Sequence, residues 1–162
     1  MKMTKLYRMF SEGEGFMDIK RDKYLNDLIN RMHNGMIKIV TGIRRCGKSY
    51  LLFNIFKNYL LEQGVPASHI IMIELDQRKN KKYRDPDVIL DYIESLIEED
   101  GQYYIMLDEV QMLQEFEEVL NSLLHIRNAD VYVTGSNSKF LSKDVITEFR
   151  GRGDEIHIYP LT

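Results

Sequence analysis

The sequence is poor in cysteine, in long hydrophobic runs and in net charge, and each shortage removes a class of protein. Cys46 is the one cysteine in 162 residues. No disulfide can form within the chain, which fits a reducing compartment. The longest apolar runs, such as Tyr103 to Leu107, have five residues, whereas a membrane-spanning helix needs about 20. The opening segment MKMTKLYRMFSEGEGF lacks the apolar stretch of roughly 7–15 residues that a secretory signal carries. The expectation is a cytoplasmic protein with no membrane partner. Lys and Arg number 22 against 25 Asp and Glu, a net charge of −3, so nothing pulls the whole molecule toward nucleic acid or anionic lipid. His33, His69, His125 and His157 fall at no metal-ligand spacing, and no zinc site is expected.

What is present describes a folded domain. Hydrophobic residues make up 44% and charged residues 29%, unlike a disordered chain. The length suits one domain of about 100–200 residues. Residues 1–20 show no sustained period and carry Gly13 and Gly15, so they are expected to form an N-terminal arm ahead of a domain over residues 21–162. The stripe Tyr24, Leu25, Leu28, Ile29, Met32 predicts a short amphipathic helix stopped by His33-Asn34-Gly35. Apolar runs at Met36–Val40, Ile70–Leu75, Tyr103–Leu107, Val131–Val133 and Ile156–Tyr159 predict strands. Helical periodicity fills the gaps: Leu51 to Leu60, a segment capped by Asp85-Pro86, and Phe116 to Leu124. Strands that are apolar throughout and alternate with helices mean a parallel sheet covered on both faces, a doubly wound α/β domain.

Gly42-Ile43-Arg44-Arg45-Cys46-Gly47-Lys48-Ser49 fits G-x-x-x-x-G-K-[ST] at every fixed position. Chance would produce such a match in roughly 1% of chains this long. The strand before it and the helix after it supply the required context. A nucleoside triphosphate needs several N–H donors converging on its oxygens, and a glycine-permissive loop lets the backbone wrap that closely. Lys48 is placed to reach the β and γ phosphates, and the Ser49 hydroxyl to ligate Mg²⁺. Arg44 and Arg45 either approach phosphate or another subunit, or are simply solvated. Cys46, a loop-filling residue with no chemical role of its own, and Tyr50, directly next in the helix, are counted with the loop among the nucleotide-binding residues.

The third strand ends in Asp108-Glu109. Ligands of open parallel sheets bind at the carboxyl ends of the strands, so both acids belong on the rim that carries the phosphate loop. Asp108 suits holding Mg²⁺, and Glu109 suits orienting or deprotonating an attacking water. The fourth strand ends in Thr134-Gly135-Ser136-Asn137, where Ser136 or Asn137 is a candidate γ-phosphate sensor. The competing reading of Asn137 is a helix N-cap.

These segments, GIRRCGKS, YYIMLDEVQ, TGSNSKFLS and FRGRGDEIHIYPLT in that order, resemble prokaryotic AAA-type ATPases of the "ATP-binding protein" group, from about Arg21 onward. The resemblance implies a three-layer P-loop NTPase core with a parallel five-stranded sheet in 5-1-4-3-2 order. It marks Gly47, Lys48 and Ser49 as Walker A, Asp108 and Glu109 as Walker B, and Ser136 and Asn137 as sensor 1. It also makes Arg152 a candidate arginine finger, in cis or from a neighbouring subunit, with Arg150 its competitor. Members of the group usually continue into a helical and nuclease-like C-terminal region. This chain is therefore expected to be an ATPase domain whose partners are nucleotide, that missing region and further copies of itself.

Three functions compete: an ATPase driving conformational change in the missing region, a nucleotide-dependent switch with slow hydrolysis, and a small-molecule phosphotransferase. Glu109 beside Asp108 favours water activation, and no arginine-rich lid for a second substrate is evident. A GTPase is disfavoured by the absence of Asn-Lys-x-Asp, since Asn80-Lys81-Lys82-Tyr83 lacks the aspartate. Arg78, Lys79, Lys81, Lys82 and Arg84 crowd one loop. With acids close by and no interleaved aromatics, they read as a solvated loop and leave a nucleic-acid partner unsupported.

Overall fold

The structure, a computed structural model, describes residues 12–43, 46–136 and 152–159, with side chains from Arg21 onward. The apolar runs become strands β1 (Ile37–Thr41), β2 (Ile70–Glu74), β3 (Tyr103–Asp108), β4 (Ala129–Gly135) and β5 (Gly153–His157). Their order is β2-β3-β4-β1-β5, and every neighbouring pair is parallel. This is the three-layer P-loop NTPase sheet that the resemblance implied. β4 extends past Val131–Val133 at both ends, and β5 starts three residues before Ile156. Backbone pairing sets strand ends, and small or polar residues such as Gly153 and Asp154 pair without adding to the hydrophobic signal.

The helices are α1 (Glu12–Arg31), α2 over residues 48–62 with a π-wound middle at Leu51–Phe56, α3 (Pro86–Leu96) and α4 (Phe116–Leu124). Strand side chains alternate between faces. On one face Val40, Tyr104, Met106, Tyr132 and Ile156 pack with Leu28 of α1 and Leu52, Phe56 and Leu60 of α2. On the other, Ile39, Ile73, Ile105, Leu107 and Val133 pack with Ile89 and Ile93 of α3 and Phe116, Leu120 and Leu123 of α4. The Asp85 cap forms as its sequence predicts, its carboxylate accepting from the N–H groups of Asp87 and Val88 at 2.9 and 3.2 Å. α1 differs from expectation. It begins at Glu12, ahead of the Tyr24 stripe, because extending an existing helix costs little once its packed turns have nucleated it. The two glycines cost about 1 kcal/mol each there without stopping it.

A buried polar cluster fixes the amino-terminal end of the sheet. Lys38 of β1 is fully buried, Asp130 of β4 nearly so, and the ammonium donates to one carboxylate oxygen while lying 4.8 Å from the Tyr132 ring centroid. The other oxygen accepts from Tyr132 Oη at 2.6 Å and His33 N at 2.9 Å. The His33 ring meets Tyr104 Oη at 2.9 Å. Arg31 and Asn34 reach Asp154 of β5 at 2.9 and 3.0 Å. The end of α1 and the turn after it are thereby tied to β3, β4 and β5. Burial pushes the Lys38 pKa down, opposed by its hydrogen bond and charge pairing with Asp130, and the Tyr132 hydroxyl is pushed up by burial and by the same carboxylate.

Removing one partner of such a pair leaves an uncompensated charge. Lys38→Met is expected to cost about 3–5 kcal/mol in urea unfolding. Adding Asp130→Asn should recover roughly half of that, because the remaining buried charge is removed. A single substitution within about 1 kcal/mol of wild type would contradict this role.

Candidate functional site

All five strands run the same way, so the segments following β1, β3 and β4 emerge on one rim. The loop after β1 depends on two glycines. A Cβ on Gly42, at φ 150°, would lie 2.6 Å from the Ile158 carbonyl oxygen and 2.7 Å from Cys46 Sγ. Gly47, at φ 97°, stands in the left-handed region directly before α2, a conformation costly for residues with a Cβ. Lys48 is 4% exposed, and its ammonium donates to the Gly42 and Ile43 carbonyls at 2.9 Å each. Tyr50 is half exposed, with the Arg21 guanidinium 5.0 Å from its ring centroid.

The acidic pair is ordered by hydroxyl groups. Asp108 Oδ1 accepts from Ser49 Oγ at 2.7 Å and from Thr134 Oγ1 at 2.5 Å. The Thr134 oxygen also accepts the Glu109 N–H at 2.9 Å. That bond holds Glu109 in the left-handed region, φ 54° and ψ 54°, unusual for a residue with a side chain. Glu109 Oε2 accepts from Ser136 Oγ at 2.7 Å and from the Gln111 amide. Burial pushes the Asp108 pKa up, opposed by the Thr134 and Ser49 hydrogen bonds and reinforced by the charges of Glu109 and Asp76.

The rim therefore gathers Gly42, Cys46, Gly47, Lys48, Ser49, Tyr50, Asp108, Glu109 and Ser136. Arg44, Arg45, Asn137 and Arg150 lie outside the described residues. Arg152 is not brought to the loop. It stands at the opposite end of the sheet, where its carbonyl accepts from Ile37 N at 2.7 Å and its guanidinium donates to Asn121 of α4 at 3.0 Å. At about 3.3 Å per residue, the five residues of β1 put some 16 Å between that end and the loop. Thr134 and Gln111 are additions that the sequence reading missed. Leu107 pairs with Val133, which makes Asp108 and Thr134 the next pair along. That signal is visible only once β3 and β4 are known to be neighbours.

Magnesium takes oxygen ligands, commonly one or two carboxylates together with waters and substrate phosphates. Ser49 Oγ and Asp108 Oδ1, side by side beneath the loop, fit that requirement. Among the described residues no group of three or more His, Cys, Asp or Glu could hold a metal. Arg78, Lys79, Lys81 and Lys82 are exposed on a 3-10 segment, Arg78–Arg84, beyond the end of β2. No described carboxylate forms an ion pair with them.

Residues 34–162 match the AAA domain family. An uncharacterised protein of Haemophilus influenzae is 32% identical over 145 residues, covering 89% of this chain and 36% of that protein. A second curated relative is covered to 31%, so the chain spans about a third of the length of the curated relatives it matches. A chain in the structure of Drosophila ORC bound to AT-rich DNA and Cdc6 superposes with a TM-score of 0.60 at 15% identity, over 98% of this chain and 63% of that one. Caenorhabditis elegans PCH-2 gives 0.58 at 15% identity, over 91% and 42%. At that identity the likeness is one of fold.

The raised Asp108 pKa has a sign that can be tested. The folded state binds this proton more tightly than the unfolded chain does. Ionised Asp108 therefore costs stability above its raised pKa, and the cost fades as pH falls through that value. Without metal at pH 7, Asp108→Asn should stabilise the protein by on the order of 1 kcal/mol, about 2–4 °C in melting temperature. The gain should shrink toward acid pH, and the stabilisation of the wild type by Mg²⁺ with nucleotide should be lost. A variant that melts below wild type at pH 7 would contradict the account.

Proposed function

The chain belongs to the AAA domain family, and from that premise we propose that it binds MgATP on its carboxyl rim and hydrolyses it to drive a conformational change in an adjoining region. The observation that carries this reading is the convergence of Lys48, Ser49, Asp108, Thr134 and Glu109 from three separate segments onto one rim. Backbone amides of the loop and the start of α2 hold the phosphates. Lys48, held by carbonyls of its own loop, turns its ammonium to the β and γ phosphates. Ser49 and Asp108 would hold Mg²⁺, which when bound would neutralise charge developing on the phosphates. Glu109 takes the proton of the attacking water. Ser136 or Asn137 serves as the γ-phosphate sensor, and Arg44, Arg45 and Tyr50 are assigned to nucleotide binding.

The finger role of Arg152 is proposed in trans. It is exposed and lies at the end of the sheet away from its own loop, so its natural target is the rim of a second copy in a homo-oligomer. The region moved by hydrolysis is proposed to lie outside this chain, a reading supported by the curated relatives, of which the chain covers 36% and 31%. The exposed cations Arg78, Lys79, Lys81 and Lys82, which no described carboxylate pairs with, favour a second reading, a nucleotide-dependent switch with slow hydrolysis that is linked to DNA through this segment. DNA that alters nucleotide affinity but not turnover would favour the switch.

Phosphate release decides the chemistry. Glu109→Gln should bind MgATP normally and lose about 10²–10⁴-fold in turnover, and a rate equal to wild type would remove Glu109 from its role. Arg152→Ala should lose up to about 10³–10⁵-fold. Mixing it with Lys48→Ala chains should restore activity, and wild-type turnover per chain should rise with protein concentration. Turnover unaffected by Arg152→Ala would rule out the finger.

A further inference from the structure

Among the described residues, Gln111 Oε1 is the one buried side-chain nitrogen or oxygen without a hydrogen-bond partner. A buried acceptor left unpaired carries a desolvation penalty, and such atoms in folded proteins call for an explanation. The explanation lies at the other end of the amide. Gln111 belongs to the 3-10 turn Val110–Met112 directly after Glu109, and its Nε2 donates to Glu109 Oε2. Turning the amide over would set its oxygen against that carboxylate oxygen and replace attraction by repulsion. Glu109 therefore fixes the orientation, and the unpartnered carbonyl is the consequence.

We infer that Gln111 is a positioning residue whose amide tethers Glu109 Oε2, leaving Oε1 as the oxygen presented to the attacking water. The inference rests on the reading of Glu109 as the base. Besides the backbone bond from Met112 N–H to its carbonyl at 3.0 Å, three bonds hold Glu109: its N–H to Thr134 Oγ1, and donations from Ser136 and Gln111 to Oε2. No described residue donates to Oε1. Ser136 is also one of the two residues proposed for the γ phosphate, and when its hydroxyl turns to the nucleotide the Glu109 carboxylate keeps one tether, Gln111. A thioether side chain of the same length would fill this position without an unpartnered acceptor. An amide here gives up stability in exchange for a fixed carboxylate.

Gln111→Met keeps the shape and removes both amide atoms. It should melt at or above wild type, bind MgATP within about twofold of wild type, and lose roughly 10–100-fold in kcat with KM unchanged, as expected when a reacting group is misplaced by a fraction of an ångström. In a Glu109→Gln background the same change should cost no further turnover. Melting gives an independent readout that needs no turnover. Gln111→Met should raise the melting temperature more in a Glu109→Ala background than in wild type, because there the amide has already lost its partner. Equal shifts in the two backgrounds, or a wild-type kcat in the single variant, would overturn the inference. Absence of any MgATP-induced thermal shift in the wild type would instead overturn the nucleotide reading on which it rests.

Discussion

The parallel pairing of β1 with β4, running from Lys38 opposite Tyr132 to Thr41 opposite Gly135, is the constraint on which the rest of the structure depends. It places the loop that leaves β1 beside the end of β4, and β4 in turn presents Thr134 to Asp108 of β3. A slip of one residue would turn Thr134 to the other face of the sheet and separate Ser49 from its carboxylate. The buried contact of Lys38 with Asp130 resists such a slip, because a shifted strand would leave both charges buried without each other. Hydrophobic packing alone would hold the register less well, since Ile37, Ile39 and Val40 could pack against β4 in several ways.

The two ends of the sheet are built on opposite terms. At the amino end the polar groups are paired: buried Asp130 accepts from Lys38, Tyr132 and His33, and half-buried Asp154 accepts from Arg31 and Asn34. At the carboxyl end local rules are broken together. Asp108 is a buried carboxylate whose pKa is pushed up, Glu109 carries a left-handed backbone, and Gln111 has an unpartnered oxygen. Such departures persist where surrounding structure over-determines them, and they cluster at functional sites. The satisfied end holds the strained end in place.

Much of this was legible in the sequence. Apolar runs of strand length and the Asp85-Pro86 cap are local signals that produced the elements they predict, and the GIRRCGKS pattern falls at the junction of β1 and α2 as its context requires. Strand order came from the resemblance, because local periodicity says nothing about which strands are neighbours. The start of α1 was hidden since Gly13 and Gly15 mask a helix extended from a packed segment. Thr134 and Gln111 were missed for a different reason. Their roles are defined by partners, Asp108 across the β3–β4 ladder and Glu109 across a 3-10 turn, and a residue's neighbours across strands are absent from linear spacing. Arg152 shows the reverse case: its place in the motif order suggested proximity to the phosphates, while the parallel topology sends it to the far end of its own sheet.

The claim at the centre of this account is that the loop, Lys48 and the Ser49–Asp108 pair together form a MgATP site. Titration calorimetry of the wild type and Lys48→Ala with ATP, in the presence and absence of Mg²⁺, tests it most directly. Saturable binding to wild type, strengthened by Mg²⁺, is expected, with a loss of about tenfold or more, roughly 1.4 kcal/mol, in Lys48→Ala. No detectable heat with millimolar MgATP, or equal affinity in the two proteins, would contradict it.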